Sequence, residues 1–227
     1  MEKYFYILRK CSLFSQIKEE NLLALLHCLG ATVKSYNKKE TILEEGHPAK
    51  FIGIVLSGSA QMIQLDYYGN RSIVSTAAPA ELFAESFACA EVPSIPISVI
   101  ATEPSEIMLI DCQRIIHSCS NACDFHQQMI YNLLKNVASK NILFHQKIEI
   151  TSRRSTREKL MAYLALQAKK VGSQSFDIPF DRQELADYLE VDRSGLSAEI
   201  SKLRKEGILA SEKKHFELLS PDGYDLP

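Results

Sequence analysis

The sequence lacks any long uninterrupted run of apolar residues. None of its 227 residues fall in a stretch that reaches the roughly 18 apolar positions needed for a membrane-spanning helix. Residues 1–26 mix charged with apolar side chains and contain neither the apolar segment nor the small-residue cleavage site of a signal peptide. We therefore expect a cytoplasmic protein without a membrane partner.

An excess of charge of one sign is also missing. The chain carries 26 Lys and Arg against 28 Asp and Glu, a net charge of −2, and residues 150–227 alone contain 13 basic and 13 acidic residues. Composition therefore gives no sign of a polyanionic partner. If the C-terminal part binds DNA, its cations must be segregated onto one face, because phosphate neutralisation depends on local charge.

The familiar catalytic signatures are absent from the sequence. There is no G-x-S-x-G elbow, no phosphate-binding P-loop, no G-x-G-x-x-G turn and no H-E-x-x-H helix. We also find no convincing pair of a nucleophile and a base. The sequence therefore does not predict an enzyme.

Six cysteines are present, and in a reducing compartment they are expected to remain thiols. Cys119 and Cys123 lie one helical turn apart, a spacing that suits either a metal or a redox pair. Helix-borne cysteines more often serve as small apolar residues. We therefore predict no metal site and no certain cofactor, and keep the metal or redox pair as the alternative.

The hydrophobic pattern divides the chain into regions. Residues 1–29 show helical spacing, and after Ala31 short apolar runs alternate with turn-forming residues, which is typical of antiparallel strands in a sandwich or small barrel. The predicted strands cover residues 41–43, 51–56, 60–65, 71–76, 82–88, 97–101 and 107–111. Another amphipathic helix is predicted over 155–171, ending at Gly172.

A long helix is predicted from residue 124 to residue 149, a stretch without Gly or Pro. Apolar residues recur along it at steps of three and four, as in the seam of a two-stranded coiled coil. The predicted dimerisation residues are Met129, Ile130, Leu133, Val137 and Phe144, and Lys140 lies in the same seam. The alternative is a helix that packs on its own domain.

A helix-turn-helix pattern follows near the C-terminus. Asp181 and Glu184 have the spacing of a capping box, and Asp192 is placed to cap the second helix. Apolar residues of both helices face inward, which leaves the start of the second helix exposed, where a recognition helix meets base edges in the major groove. The predicted DNA-contacting residues are Arg182, Asp192, Arg193, Ser194, Ser197, Ala198, Lys202, Lys213 and Lys214.

The residues after this pattern predict a two-stranded wing. Apolar segments at 208–210 and 216–219 flank a polar turn, and Lys213 and Lys214 are placed at its tip to meet phosphate. The guanidinium of Arg193 matches the O6 and N7 acceptors of guanine. A phosphate contact or a surface ion pair is the alternative role for this arginine.

The chain resembles the Crp/Fnr superfamily of bacterial transcription regulators over nearly its whole length. The segments that carry the resemblance are residues 41–46, 54–60, 69–71, 79–85 and 182–209. The resemblance implies an α+β fold with an antiparallel β-roll like that of cyclic-nucleotide-binding domains, a long dimerisation helix and a winged helix-turn-helix. The predicted domains are residues 1–120, 121–149 and 150–227. It also implies a homodimer on palindromic double-stranded DNA, with RNA polymerase as a further partner if the protein activates transcription.

Departures from the family pattern bear on the effector. Members that bind cyclic AMP carry Phe-Gly-Glu-Leu followed by Arg-Ser-Ala, whereas here Ala84 replaces the Gly and the Arg-Ser positions fall on Ile95 and Pro96. A cyclic phosphate would lack its cation and its hydroxyl, so we reject cyclic-nucleotide binding, including that of cyclic AMP. The resemblance then implies an unidentified, partly apolar effector. The predicted lining residues are Leu82, Phe83, Glu85, Ser86, Ile95, Pro96 and Ile97.

Two alternatives to an effector-controlled regulator remain open. The residues of the predicted pocket can be plain core, in which case the roll senses nothing. The chain can also be an effector-binding or redox- or metal-sensing dimer with weak or no specific DNA binding. The iron–sulfur arrangement of oxygen-sensing relatives is not matched, because Cys11 stands alone near the N-terminus and the next cysteine is Cys28.

Overall fold

The computed structural model describes residues 2–117 and 124–219. The chain divides into two compact units, residues 1–142 and residues 143–227. This division falls inside the long helix, and the boundaries that the sequence indicates, at residues 120 and 149, stay predictions.

Strands of the first unit form two antiparallel four-stranded sheets, as the sequence predicted. The strands are β1 (Thr32–Tyr36), β2 (Thr41–Leu43), β3 (Phe51–Ser57), β4 (Ala60–Leu65), β5 (Arg71–Ala77), β6 (Leu82–Phe83), β7 (Ser98–Ala101) and β8 (Ser105–Asp111). One sheet has the order β1-β8-β3-β6 and the other the order β2-β7-β4-β5.

The two central strands of the first sheet bury both of their faces. Along β3, Ile52 and Ile54 join an apolar cluster with the helices, whereas Val55 joins the cluster that includes residues of both sheets. Along β8, Met108 belongs to the first cluster and Leu109 to the second. This alternation follows from the two-residue period of a strand, and it gives the unit two core layers.

The continuous helix predicted over residues 1–29 is wrong. The structure instead has α1 (Phe5–Leu8), a 3-10 turn at Ser12–Phe14 and α2 (Glu19–Cys28). Gln16 has a φ of 65°, a left-handed conformation that no continuous helix accommodates. The apolar spacing survives the break because the turn also buries its side chains in the core.

The strand predicted over residues 82–88 is also largely wrong. Strand β6 contains only Leu82–Phe83, and a short helix, α3 (Glu85–Cys89), follows it. Ala84 joins them with a φ of 61°, a left-handed conformation in which neither a strand nor a right-handed helix continues. Strand β1 was missed because its side chains do not alternate between buried and exposed.

Helices dominate the second half of the chain. The predicted helix over 124–149 is confirmed as a single helix of 28 residues, and the one predicted over 155–171 is also confirmed. The elements are α4 (Cys112–Ile116), α5 (Asp124–Thr151), α6 (Thr156–Val171), β9 (Ser175–Asp177), α7 (Arg182–Leu189), α8 (Arg193–Lys205), β10 (Leu209–Glu212) and β11 (His215–Leu218).

Gly53 in β3 is required by the ring of Phe83, so its replacement should destabilise the first unit. A methyl group at Gly53 would lie 2.0 Å from Cζ of Phe83. We expect Gly53→Ala to lower the free energy of unfolding by about 2 kcal/mol, the usual cost of overfilling a packed core. Urea unfolding followed by circular dichroism measures it. Adding Phe83→Leu should recover part of the loss, and strictly additive losses would contradict this account.

Candidate nucleic-acid interface and sensor cassette

Side-chain caps fix both helices of the predicted helix-turn-helix. Asp181 accepts a hydrogen bond from the Glu184 amide at 2.8 Å, and the Glu184 carboxylate accepts one from the Asp181 amide at 2.8 Å. Asp192 accepts from the Gly195 amide at 2.8 Å. Each cap satisfies amide groups that a helix start leaves unpaired. The capping roles predicted from the sequence are therefore confirmed.

Apolar packing decides which face of α8 points outward. Leu196, Ile200 and Leu203 of α8 are buried, as are Leu185 and Leu189 of α7. On the remaining surface of α8, the side chains of Arg193, Ser194, Ala198 and Lys202 are exposed and that of Ser197 is half-buried. Four of these residues thus lie in the first two turns of α8, whereas Lys202 lies in its last turn.

Asp192 is exposed, but its carboxylate already has partners. The Ser194 hydroxyl and the Gly195 amide both donate to it, and these hydrogen bonds lower the pKa of Asp192. The carboxylate therefore stays ionised in its capping role. A direct contact with DNA, which the sequence also suggested, would have to coexist with these bonds.

The wing consists of β10 and β11, joined by a two-residue turn at Lys213 and Lys214. Lys213 has a φ of 51° and an exposed side chain. Lys214 donates from Nζ to the Pro179 carbonyl at 2.7 Å, so its ammonium is held partly by the protein itself. The sheet has a third strand, because β9 pairs with β11. The sequence analysis missed β9, which has only three residues.

A concave surface of about 700 Å³ lies between α8, the wing and the start of α7. Four of its lining side chains are basic or can become so: Arg182, Arg204, Lys213 and His215. Burial lowers the pKa of Arg182, and the like charge of Arg204 lowers it further. Arg182 Nη1 is buried without a hydrogen-bond partner among the described residues. One carboxylate, that of Glu212, also lines the surface. Basic side chains therefore outnumber acidic ones there, and they provide donors suited to an anion.

Arg204 was missed by the sequence analysis, although a signal was present. It follows Ser197 by seven residues and Ser201 by three, so all three lie on one face of a helix. They line the same concave surface. The sequence does not show that the wing lies opposite this face of α8 and forms the other wall of the concave surface; only the fold does.

Two acidic residues, one within α8 and one directly after it, form ion pairs with an arginine of α6. Arg157 of α6 lies 3.4 Å from Glu199 and 2.6 Å from Glu206. The hydrogen bond from Arg157 lowers the pKa of Glu206. Two acidic residues near the concave surface are thus paired with an arginine that does not line it.

In the first unit, residues 82–86 form a segment that we call the cassette. Glu85 is 1% exposed, and its Oε1 lies 2.6 Å from Nζ of Lys140 on α5. Lys140 also donates to the Leu82 carbonyl. Glu85 Oε2 has no hydrogen-bond partner among the described residues. The charge of Glu85, which the sequence analysis predicted to line the effector pocket, is therefore neutralised by Lys140 of the same chain.

Most apolar residues of the predicted effector pocket are packed in the core. Leu82 belongs to the helical cluster, whereas Phe83 and Ile97 belong to the cluster that includes residues of both sheets. Ile95 is buried and Pro96 is exposed. The remaining predicted residue, Ser86, is half-buried. The four buried apolar residues therefore serve the core, and contact of any of the predicted residues with an effector stays a prediction.

Part of the predicted dimerisation seam faces its own unit. Met129 and Leu133 are buried in the helical cluster, and Val137 packs against it. Ile130 is 37% exposed, and Phe144 is half-buried. Met129 and Leu133 therefore contribute to the core of their own unit, and their role in dimerisation stays a prediction. The apolar spacing does not distinguish the two roles, because α5 has apolar residues on two faces and steps of three and four fit either.

A second apolar stripe of α5 is exposed to solvent. Tyr131 is 60% exposed, Leu134 66% and Ile142 61%, and Ala138 between them is also exposed. These residues, with Ile130, recur at steps of three and four and lie on one side of the helix. We call them the α5 stripe.

The predicted metal or redox pair lies outside the described residues, because Cys119 and Cys123 fall between the two described ranges. Within residues 2–117 and 124–219, no group of three or more His, Cys, Asp or Glu side chains could hold a metal ion. His126 is buried, and its Nε2 is 2.8 Å from the Ile115 carbonyl oxygen.

Among residues 2–117 and 124–219, no helix is long and apolar enough to cross a membrane.

Two family models match the chain in the predicted order. Residues 33–121 match the cyclic nucleotide-binding domain, and residues 158–223 match the Crp-like helix-turn-helix domain. A sensor-type domain therefore precedes a DNA-binding domain. Together the matches confirm the architecture that the sequence predicted.

Named relatives and solved structures are similar over most of the chain. Transcriptional activator protein FnrL of Cereibacter sphaeroides is 23% identical over 202 residues, covering 82% of this chain and 76% of that protein. The FixK2 structure from Bradyrhizobium japonicum is 22% identical with a TM-score of 0.65, covering 84% of this chain and 93% of FixK2. The c-di-GMP responsive regulator CLP of Xanthomonas campestris is 16% identical with a TM-score of 0.71, covering 87% and 99%. These two structural likenesses show the fold alone.

Removing Lys140 should destabilise the first unit more than neutralising Glu85 does. Lys140→Ala leaves a buried carboxylate without its cation, and we expect it to cost about 3 kcal/mol. Glu85→Gln should cost less, because the Lys140 side chain is 25% exposed and can turn to water. Urea unfolding measures both variants.

Lys135→Ala, an exposed lysine on the same helix, provides the matched control and should change stability by less than about 0.5 kcal/mol. Equal losses for Lys140→Ala and Lys135→Ala would show that the ion pair contributes nothing.

Proposed function

Because the chain belongs to the Crp/Fnr superfamily of transcription regulators, we propose that it binds a palindromic operator sequence-specifically, as a homodimer controlled by a small-molecule effector other than cyclic AMP. The chain is a regulator and not an enzyme, since this family consists of transcription factors. The observation that carries the proposal is the exposed start of α8 beside the basic concave surface.

Arg193 is the proposed base-reading residue. It is the first residue of α8, its side chain is exposed, and the cap at Asp192 fixes the helix start beneath it. A guanidinium in this place can donate two parallel hydrogen bonds to a guanine in the major groove. Ser194, Ser197 and Ala198 are short enough to let the helix approach the bases closely.

Arg182, Arg204 and Lys213 are the proposed phosphate contacts. All three line the concave surface, and guanidinium and ammonium groups form strong, charge-assisted hydrogen bonds with phosphate oxygens. Phosphate contacts position the protein without reading sequence. Lys202 and Lys214 are exposed nearby and are proposed as weaker contributors.

The α5 stripe is the proposed homodimer seam. Its exposed apolar side chains recur with the spacing of a two-stranded coiled coil, and the opposite face of the helix is covered by its own unit. Pairing of two copies would bury the stripe and supply two recognition helices, as a two-fold palindrome requires. In this proposal Ile130 keeps its predicted role in dimerisation. Met129 and Leu133 pack on the opposite face of α5, against the core of their own unit.

The effector is proposed to differ from cyclic AMP because the cassette offers a cyclic phosphate no cation. Lys140 is engaged with Glu85, and Ile95 and Pro96 provide neither charge nor hydroxyl. The relative CLP is described as responsive to c-di-GMP, which supports a different ligand in a fold of this type. The proposed location is the cytoplasm, and if the protein is an activator like FnrL, RNA polymerase is a proposed partner.

Arg193→Ala should weaken binding to a selected operator by about 1–3 kcal/mol, a loss of roughly 5- to 150-fold, because one bidentate base contact disappears. Affinity for a scrambled duplex of equal length should change little. Fluorescence anisotropy at fixed salt measures both affinities. Arg193→Lys is a further variant that keeps the charge but not the fork, and it should recover only part of the affinity.

Arg204→Ala, at the adjoining concave surface, is the matched comparison for Arg193→Ala. Loss of a phosphate contact should weaken operator and scrambled duplex alike and reduce the salt dependence by about one counterion. If Arg193→Ala behaves in this uniform way instead, Arg193 is a phosphate contact and the proposed base readout is wrong.

Leu134→Glu should convert the homodimer into a monomer, because it places a charge in the centre of the proposed seam. Sedimentation velocity at micromolar concentration measures the change. Ser139→Glu is the matched control, since residue 139 is exposed and lies about 140° around the helix from Leu134. A Leu134→Glu variant that remains dimeric would rule out the α5 stripe as the seam.

A further inference from the structure

Two cysteines of the first unit are close together at a place that the proposed function does not use. The sulfur atoms of Cys89 and Cys112 are 3.7 Å apart, although 23 positions separate them in the sequence. Cys89 is the last residue of α3 and Cys112 the first of α4. The sequence analysis singled out other cysteines, because this pair is brought together only by the fold.

Several hydrogen bonds besides the thiol contact hold the two segments in place. Gln113 donates from Nε2 to the Glu91 carboxylate at 2.7 Å, which links α4 to the residues after α3. The Cys112 amide donates to the Lys50 carbonyl at 3.0 Å, and Asp111 caps α4. The approach of the two sulfurs is therefore fixed by structured backbone on both sides.

The two thiols have unequal environments. Cys112 is 1% exposed, whereas Cys89 is partly open to solvent. A hydrogen bond from the Cys112 thiol lowers the pKa of Cys89, against the opposing effects of burial and of the Glu85 charge. The same contact and burial raise the pKa of Cys112. Cys89 is therefore the thiol that ionises first and the one that a small oxidant reaches.

We propose that Cys89 and Cys112 form a redox-active dithiol that hydroperoxides convert into an intramolecular disulfide. The Cys89 thiolate attacks a peroxide oxygen, the O–O bond breaks, and Cys89 becomes a sulfenic acid with release of one water from hydrogen peroxide. The Cys112 thiol then displaces the sulfenic oxygen as a second water, and the S–S bond forms. Two thiols lose two electrons and two protons, and the peroxide is reduced to water.

Closing the bond requires only a short movement. A disulfide is about 2.05 Å long, so the sulfurs must approach by roughly 1.7 Å from their separation of 3.7 Å. The buried Cys11 is less suited to the chemistry, because desolvation raises its pKa to about 12.

The dithiol is placed to influence α5. Helix α3 is a single turn that begins at Glu85 and ends at Cys89, and Glu85 pairs with Lys140 of α5. Pulling the end of α3 towards α4 therefore acts on the ion pair at its start. Oxidation should change hydrogen exchange of the α5 amides around Lys140.

The experiment treats the full-length reduced protein with hydrogen peroxide, alkylates the remaining thiols and maps disulfides by peptide mass spectrometry. The expected result is a Cys89–Cys112 linked peptide that dithiothreitol removes. Cys28→Ser, which alters an exposed cysteine outside the pair, should leave its yield unchanged. Cys112→Ser should leave Cys89 as a sulfenic acid that dimedone labels.

Other outcomes overturn the proposal. One such outcome is oxidation confined to Cys28. Another is a disulfide between Cys119 and Cys123 while Cys89 and Cys112 remain alkylated. Either result shows that the Cys89–Cys112 pair is not the reactive site. Because wild-type mapping decides this, a Cys112→Ser variant that fails to fold does not matter. The link to α5 is overturned if oxidation changes the hydrogen-exchange rates of the amides around Lys140 by less than about twofold. None of these readouts depends on DNA binding.

Discussion

The buried ion pair between Glu85 and Lys140 constrains much of the first unit. A carboxylate that is 1% exposed needs a compensating charge, and α5 supplies it from the middle of a long helix. The pair holds α5 against the cassette, so Met129 and Leu133 complete the helical core. The opposite side of α5 then presents the α5 stripe to solvent. One electrostatic requirement therefore accounts both for the engagement of Lys140 within the cassette and for the side of α5 that remains exposed.

In the second unit the governing constraint is the separation of charges. Basic and acidic residues are equal in number there, yet Arg157 holds Glu199 and Glu206, while Arg182 and Arg204 line the concave surface beside α8. A polyanion approaching this surface meets local positive charge despite the neutral composition. The caps at Asp181 and Asp192 set the directions of α7 and α8 and so determine where the exposed residues of α8 lie.

Local features were predictable from the sequence, and contacts between distant segments were not. The capping box at Asp181 involves residues three positions apart, so the sequence alone indicates it. The ion pair joins residues 85 and 140, and the local spacing of residues around position 85 does not predict a partner so distant in the sequence. Helix α5 shows the limit most clearly: its period predicted the helix itself, but not which of two apolar faces meets its own core. The breaks near Gln16 and at Ala84 were missed because both depend on non-glycine residues in left-handed conformations.

Selection of bound sequences from a random duplex pool by the full-length protein tests the central claim of sequence-specific regulation most directly. The selection is run with and without a small-metabolite extract, and the enriched sequences are read. The account predicts an enriched two-fold palindrome whose half-site centres lie about one helical turn apart, recovered more strongly when the extract supplies the effector. A pool in which no motif is enriched under either condition would contradict it.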